Sequence, residues 1–245
     1  MPFARRSQIH YAERGERRPG VAPALLVHGA GASSSIWMMA LARLARLTYA
    51  VAIDLPGHGP SPADGWSLGI GGYRDATGML AGTLCLGSSV LVGHSMGALV
   101  AVEAALAWPD KVRGLVLAGA APRLPVSEEL VALIRDDHAR VPAWLAEHGL
   151  SPTAKPAVRR AFIAAGVVTS RETTLADFEA VRATDLGARI AELRCPVVWL
   201  DGADDRIAPA APGRPGEVRT LPAVGHLIPI EAPGAVAEAV GALIG

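Results

Sequence analysis

Short runs of apolar residues recur along the chain, and each of them is closed by glycine or proline. They are PALLVHG, TYAVAIDLPG, SSVLVGHS, VRGLVLAGA and CPVVWLDG. Nearly continuous apolar runs of this length are typical of strands that are buried on both faces, as in parallel sheets. The segment QIHYAERG instead alternates apolar and polar residues, which predicts an antiparallel strand at the sheet edge.

Between these runs the apolar positions follow a helical period. The pattern predicts helices over 34–46, 72–86 and 96–107, and a last one in APGAVAEAVGALI near the C-terminus. Strands that alternate with helices along the chain pair in parallel and carry the helices on both faces of the sheet. The sequence therefore predicts the α/β class, with a mostly parallel central sheet flanked by helices.

The alternation stops in the second half of the chain. The segments VSEELVALIRDDHARVPAWLAEHG and KPAVRRAFIAAGVV are helical in period, and proline-bearing turns such as SPTAKP join them. We therefore predict an α/β core formed by 1–121 and 195–245, with a helical lid inserted at 122–194. Its place between two strands puts this lid over the carboxyl edge of the sheet, where open α/β folds bind ligands.

Composition excludes several partners. Lysine plus arginine and aspartate plus glutamate number 23 each, so no excess positive charge is available for nucleic acid or an anionic membrane surface. No apolar run reaches the roughly 18 residues that span a bilayer, and the first residues lack the apolar core of a secretory signal. A cytoplasmic protein is expected.

Cys85 and Cys195 lack metal-ligand spacing, so we expect buried free thiols, no metal and no cofactor.

The segment GHSMG places Ser95 between a predicted strand and a predicted helix. This is the G-x-S-x-G elbow, in which a sharp, strained turn exposes the serine hydroxyl. Gly93 and Gly97 lack a side chain at the two positions where a β-carbon would collide across the turn. A serine in a tight turn is the alternative reading, but the strand before and the helix after favour a nucleophile.

A nucleophilic serine needs a base and an acid that orients the base. Among the histidines, His226 alone stands in a late loop, in LPAVGHLIPIEAP, after the last strand signal. His28 and His58 lie in glycine-containing loops that we expect them to anchor through hydrogen bonds. His94, beside the serine, is expected to point to the opposite side of the backbone. The loop DGADDRIAP supplies three acids: Asp201, Asp204 and Asp205. Pairing with Arg206 is the alternative role for Asp204.

Two backbone amides must stabilise the oxyanion of such a reaction. The amide of Met96 follows from the elbow, and the loop LLVHGAGASSSIW offers the second donor at Ala30, with Gly31 as a candidate for substrate binding. A phosphate-binding loop is the alternative for this glycine-rich turn. The sequence here has neither the G-x-G-x-x-G spacing nor a Walker lysine, which disfavours nucleotide binding.

With these residues in place, the chain resembles the α/β-hydrolase superfamily, and within it the lidded, esterase-like serine hydrolases. The resemblance rests on five motifs in the family's order: HGAGASSSIW, DLPGHGPS, GHSMG, GADDRIAP and GHLIPIEAP. It implies a helical lid after the sixth strand. It also implies that the acid stands at the third position after the loop glycine, Gly202, which is Asp205. The family usually has a helix between the acid and histidine loops, and AAPGRPG disfavours one.

The resemblance implies a serine hydrolase that cleaves small carboxylic esters without a cofactor, with Ser95, His226 and Asp205 as the triad. The alternatives are a thioesterase for acyl carrier or coenzyme A thioesters, a carbon–carbon bond hydrolase, and a non-catalytic ligand receptor on this fold. Formation of a peracid from hydrogen peroxide is a further possibility. Trp37, Trp66 and Trp144 are candidates for the substrate pocket, and the oligomeric state stays open.

Overall fold

The structure is a computed structural model, and it describes residues 8–166 and 168–245. The strands are β1 (Tyr11–Arg14), β2 (Ala24–Val27), β3 (Ala50–Ile53), β4 (Ser89–His94), β5 (Val112–Ala118), β6 (Val197–Gly202) and β7 (Glu217–Leu221). They form one seven-stranded sheet in the order β1-β3-β2-β4-β5-β6-β7. Only β1 is antiparallel to its neighbour, and each of the other pairs is parallel. The apolar runs predict the strands from β2 to β6, whereas β7 has the polar sequence EVRTL and is not among the predicted strands. Residues 1–7, where we expect no secretory signal, lie outside the described residues.

Helices follow the strands, and the α-helices agree with the predicted ranges to within a few residues, apart from the start of the first. That stretch begins with a 3-10 turn at Ser34–Trp37, which Ser33 caps by accepting a hydrogen bond from the Ser35 amide. The α-helices are α1 (Met38–Leu44), α2 (Ile70–Thr83), α3 (Met96–Ala107), α4 (Glu128–Asp136), α5 (Val141–His148), α6 (Pro156–Ala165), α7 (Arg171–Ala183), α8 (Ile228–Glu231) and α9 (Pro233–Gly241).

The sheet separates two apolar cores, because successive side chains of a strand point to opposite faces. Leu25 and Val27 of β2 pack on one face together with helices α2 and α3. Ala24 and Leu26 pack on the other face with α1 and α9. Each fully buried leucine or valine contributes about 1.5–3 kcal/mol relative to an exposed one, so covering both faces accounts for the unbroken apolar runs.

Helices α4 to α7 all lie in the segment 122–194, which we call the insertion. It contains a small apolar core of its own around Leu130, Ile134 and Val141. The insertion follows β5, the fifth strand that the described residues form, so the expectation that it follows the sixth strand is corrected. In the described part of the chain five strands, β1 to β5, precede the insertion.

The glycine- and proline-rich segment between β6 and β7 forms no helix in the described structure, as its composition predicts. It is held by Arg214 instead. This guanidinium donates to both carboxylate oxygens of buried Asp201, with Nη1 to Oδ1 at 2.9 Å, and lies 4.8 Å from the centroid of the Trp199 ring. A bidentate pair of this kind fixes geometry as well as charge, so Arg214 anchors this segment to β6.

Two further expectations concern accessibility. Cys195 is partly buried, but Cys85 is exposed, so the expectation that both thiols are buried is wrong for Cys85. Cys85 has φ 49° in the turn that follows α2, which places it at the surface rather than in a strand or helix interior. Among the described helices, none combines the length and the apolar character that crossing a membrane requires.

Candidate active site

Ser95 occupies a strained turn between β4 and α3. Its φ of 52° and ψ of −119° lie outside the regions that residues with a side chain normally adopt. The turn is possible because two glycines flank it. A β-carbon on Gly93 would lie 2.4 Å from Ala98 Cα, and one on Gly97 would lie 2.3 Å from the Val27 carbonyl oxygen. The GHSMG sequence therefore forms the predicted elbow, with Ser95 partly exposed at its tip.

His226 and Asp205 come from different loops and meet in a buried hydrogen bond. The distance from His226 Nδ1 to Asp205 Oδ2 is 2.9 Å, and both side chains are almost fully buried. The other carboxylate oxygen, Oδ1, accepts the amides of Ile207 and Ala208 at 2.8 Å each. Burial alone would raise the pKa of Asp205, but the hydrogen bond from His226 and these two amides outweigh it and lower that pKa.

Ser95 and His226 both adjoin the turn that follows β5. The Ser95 amide donates to the Ala118 carbonyl at 3.0 Å. The His226 ring packs on Gly119, where an added β-carbon would lie 3.1 Å from His226 Nδ1. Within the described residues no hydrogen bond joins Ser95 Oγ to His226 Nε2. Contacts of this kind are often long in a ligand-free site and tighten only when substrate is bound.

The other two acids of the loop have separate partners. Asp201 pairs with Arg214 as described above. Asp204 accepts a hydrogen bond from Ser151 Oγ of the insertion at 2.6 Å. Arg206 donates to the carbonyl of Glu147, so the alternative pairing of Asp204 with Arg206 is not observed. Of the three acids, Asp205 is the one that contacts His226.

His94 contributes a contact that the sequence does not suggest. It is buried, and its Nε2 donates to the backbone carbonyl of His226 at 2.9 Å, so it supports the loop of His226 from behind. Burial, together with the nearby His226, lowers the pKa of His94 to about 3. Its Nδ1 has no hydrogen-bond partner in the described structure. The residue before the elbow serine thus holds the histidine loop in place.

The loop after β2 is anchored as predicted at its first residue. His28 Nδ1 donates to the Gly29 carbonyl at 2.8 Å, and its Nε2 accepts the Leu55 amide at 3.1 Å. Burial lowers the pKa of His28 well below its usual value, with nearby His58 as the second cause. A neutral imidazole satisfies both contacts, since one ring nitrogen donates and the other accepts.

Ala30 and Gly31 of this loop differ in their surroundings. Ala30 is partly exposed next to the elbow. The amide of Gly31 donates to Asp177 Oδ2 of α7 at 2.9 Å, and an added β-carbon on Gly31 would lie 3.1 Å from Thr174. The Gly31 amide is therefore already engaged by a protein group. This contact gives Gly31 a structural role against the insertion, and substrate binding at Gly31 stays a prediction.

Two of the three tryptophans predicted to line a substrate pocket pack elsewhere in the protein. Trp37 has no exposed surface and belongs to the core between the sheet and α1, so it is not a pocket residue. Trp144 packs in the insertion's own core, stacks on His148 at 4.2 Å and donates to Glu129 Oε1 at 3.0 Å. These contacts explain its position without a ligand. Trp66 is partly buried against the main core and stays a candidate.

The first helical residue at the elbow is Met96, whose side chain is fully buried. Its amide lies in the first turn of α3, where backbone N–H groups have no partner within the helix and point towards its N-terminus. Ser95 is the residue that directly precedes this end of α3. In the described residues no group of three or more histidine, cysteine, aspartate or glutamate side chains is arranged to hold a metal ion.

Comparison with known proteins gives sequence relatives with named activities. A pimeloyl-[acyl-carrier protein] methyl ester esterase of Methylococcus capsulatus is 32% identical over 223 residues, which cover 83% of this chain and 83% of the relative. An (E)-2-((N-methylformamido)methylene)succinate hydrolase of Acinetobacter baylyi is 32% identical over 123 residues, which cover 50% of this chain and 45% of the relative. For this and other curated relatives, the matching part is less than half of the relative's length.

Solved structures share the fold across nearly the whole chain. An enol-lactonase from Burkholderia xenovorans has a TM-score of 0.81 and 24% identity, covering 96% of this chain and 95% of its own. A hydrolase from Pseudomonas aeruginosa has a TM-score of 0.82 and 25% identity, covering 96% and 94%. The alpha/beta hydrolase family matches the sequence over residues 24–239, which confirms the predicted fold class. The chain belongs to the alpha/beta hydrolase family.

Proposed function

We propose that the protein is a serine hydrolase that cleaves small carboxylic esters through Ser95, His226 and Asp205. The observation that carries the proposal is the buried 2.9 Å hydrogen bond between His226 and Asp205, next to the strained elbow of Ser95. The esterase of Methylococcus capsulatus, which matches over most of both chains, supports an ester as the substrate class.

The pKa of Asp205 determines which nitrogen of His226 is the base. Because that pKa is lowered, the carboxylate is ionised near neutral pH and can only accept hydrogen bonds. Nδ1 of His226 must then carry the proton that it donates, which leaves the lone pair on Nε2. Nε2 takes the proton of Ser95 Oγ as this oxygen attacks the ester carbonyl carbon, and Asp205 stabilises the resulting imidazolium.

The negative charge of the tetrahedral intermediate falls on the former carbonyl oxygen. The amides of Ala30 and Met96 are proposed to donate to it, the first from the loop after β2 and the second from the start of α3. The alcohol leaves with the proton from His226 and an acyl-enzyme forms on Ser95. Water, deprotonated by His226, then attacks the acyl carbon and releases the acid with Ser95 restored.

The variant Ser95→Ala tests the nucleophile. We expect its kcat for p-nitrophenyl acetate to fall by about 10⁴-fold or more, because no other group replaces the attacking oxygen. Ser67→Ala, at an exposed serine before α2, is the matched control and should keep the wild-type rate. Hydrolysis by Ser95→Ala at the wild-type rate would show that Ser95 is not the nucleophile.

A substrate panel separates the ester reaction from its alternatives. Acyl p-nitrophenyl esters and acyl coenzyme A thioesters of matched chain length are compared by kcat/KM. The proposal expects esters to be preferred, and a preference for thioesters would make the protein a thioesterase. A fluorophosphonate probe that labels the wild type but not Ser95→Ala shows a reactive serine, whereas an unlabelled wild type would indicate a non-catalytic receptor.

A further inference from the structure

Asp177 is a charged side chain that the proposed reaction does not use. It lies on α7 of the insertion, and it has no exposed surface. Burying a carboxylate is costly unless hydrogen bonds and charges compensate for the lost water. The contacts that compensate for this cost therefore indicate what the residue does.

Three elements of the α/β core supply those contacts. Oδ2 accepts the Gly31 amide at 2.9 Å and lies 2.8 Å from His58 Nε2. Oδ1 accepts the Tyr73 hydroxyl at 2.5 Å. Gly31 belongs to the loop after β2, His58 to the loop after β3, and Tyr73 to α2. One carboxylate of the insertion thus binds three separate parts of the core.

The bond to Gly31 reaches the loop that holds the proposed oxyanion donor. Ala30 directly precedes Gly31, and the two backbone dihedrals φ and ψ of Ala30 separate the Gly31 amide from the Ala30 amide, so anchoring the Gly31 amide limits the directions in which the Ala30 amide can point. Gly31 has φ 64°, and the side chain of Thr174, one turn before Asp177, packs against it. A second contact from the insertion, Thr169 Oγ1 to the Ala32 carbonyl at 3.2 Å, holds the next residue.

We propose that Asp177 is a positioning residue that orients the Ala30 amide towards the oxyanion. The inference rests on the proposed function, since it assigns a task within that reaction. It also gives the insertion a part in catalysis besides covering the site, because half of the oxyanion hole is then held in place by α7. A displacement of about 1 Å in such a group costs about 10²-fold in rate.

Substitutions at Asp177 test the proposal. Asp177→Ala should lower kcat for p-nitrophenyl acetate about 10²-fold with KM changed by less than about threefold. Asp177→Asn retains an oxygen that accepts the Gly31 amide, so it should recover about tenfold to thirtyfold of that loss and leave a residual loss of about threefold to tenfold. Tyr73→Phe removes a different bond to the same carboxylate and leaves Gly31 bound, so its kcat should stay within about threefold of the wild type.

A pair of inhibitors distinguishes positioning from a general loss of structure. A trifluoromethyl ketone forms a tetrahedral adduct with an oxyanion, so its Ki should rise in Asp177→Ala by the same factor as kcat/KM falls. The Ki of the product p-nitrophenol, which has no acyl oxygen to place in the oxyanion hole, should not change. Equal changes in both constants, a wild-type kcat in Asp177→Ala, or a loss in Tyr73→Phe as large as that in Asp177→Ala would overturn the proposal.

The role of Asp177 can still be tested if Asp177→Ala does not fold. Asp177→Asn then decides alone. The proposal expects a rise of about threefold to tenfold in the Ki of the trifluoromethyl ketone with the Ki of p-nitrophenol unchanged, and no rise in either overturns it. The Ser95→Ala variant separates this inference from the proposed function. If Ser95→Ala is inactive and Asp177→Ala has the wild-type kcat, only the role of Asp177 fails. If Ser95→Ala is active, the proposed function fails.

Discussion

At the scale of single residues, neighbouring acids in one loop have different surroundings. Asp204 and Asp205 are adjacent in the sequence, yet their carboxylates point to different partners. Asp204 accepts from Ser151 of the insertion, whereas Asp205 accepts from His226. The amides of Ile207 and Ala208 bind Asp205 as well and add to the lowering of its pKa. This contrast provides a matched pair of variants.

Asp205→Asn is expected to lower kcat for p-nitrophenyl acetate by about 10⁴-fold, because an amide in this place favours the tautomer of His226 with the proton on Nε2. Asp204→Asn keeps an oxygen that accepts from Ser151 and should stay within about tenfold of the wild type. Both rates are measured on folded protein, checked by circular dichroism. Similar losses in the two variants would contradict the role of Asp205.

At the scale of elements, the insertion is attached to the loop of His226 as well as to the loop of Ala30. The Gly149 carbonyl, just after α5, accepts the His226 amide at 2.7 Å and the Leu227 amide at 3.2 Å. Glu231 of α8 accepts the Ser151 amide and the Gly225 amide at 2.9 Å each. Burial raises the pKa of this carboxyl. Two separate points of attachment join the insertion to loops of the candidate site.

The variant Glu231→Gln tests the attachment at the histidine loop. An amide has one oxygen, so one of the two backbone amides loses its acceptor, and the free energy of unfolding should fall by about 1–3 kcal/mol. Urea denaturation measures this change. Glu238→Gln, at an exposed position of α9, is the control and should stay within about 0.5 kcal/mol of the wild type. An equal effect of both substitutions would rule out a special role for Glu231.

At the scale of the whole molecule, buried histidines link stability to pH. The pKa values of His28 and His94 are lowered in the folded protein, mainly by burial. Below about pH 6.5 the unfolded chain takes up protons that these folded side chains do not accept. Their contribution to stability is therefore complete above about pH 6.5 and decreases as the pH falls below it, for His94 down to about pH 3. The lowered pKa of Asp205 acts in the same direction at lower pH.

The variant His94→Gln should weaken this dependence, because glutamine does not titrate and its amide nitrogen can still donate to the His226 carbonyl. Each histidine contributes about 1.4 kcal/mol per pH unit to the slope. Between pH 6 and 4 the unfolding free energy of His94→Gln should therefore fall by about 1.4 kcal/mol less per pH unit than that of the wild type. Urea denaturation at several pH values measures both slopes. Equal slopes for the two proteins would show that His94 is not buried in neutral form.

The sequence carries the local features of the fold and most of the candidate site. Apolar runs identify the buried parallel strands because a strand that is buried on both faces has apolar residues at nearly every position. The elbow is recognisable because a serine at φ 52° requires glycine at fixed neighbouring positions. His226 stands out by its place in a late loop. The choice of Asp205 among three acids came from the resemblance, and the structure gives that residue the contact with His226.

Chain order and short motifs by themselves determine the α/β class, the position of the insertion and the elbow. These features depend on neighbouring residues and on apolar positions that repeat every two residues in strands or every 3.6 residues in helices. The tertiary structure alone decides that Trp37 is core, that the Gly31 amide is engaged, and that Asp177 contacts Gly31, His58 and Tyr73. These contacts join residues more than a hundred positions apart. A polar residue on a helix has the same local pattern whether it faces water or a buried amide, so only the packed fold distinguishes the two.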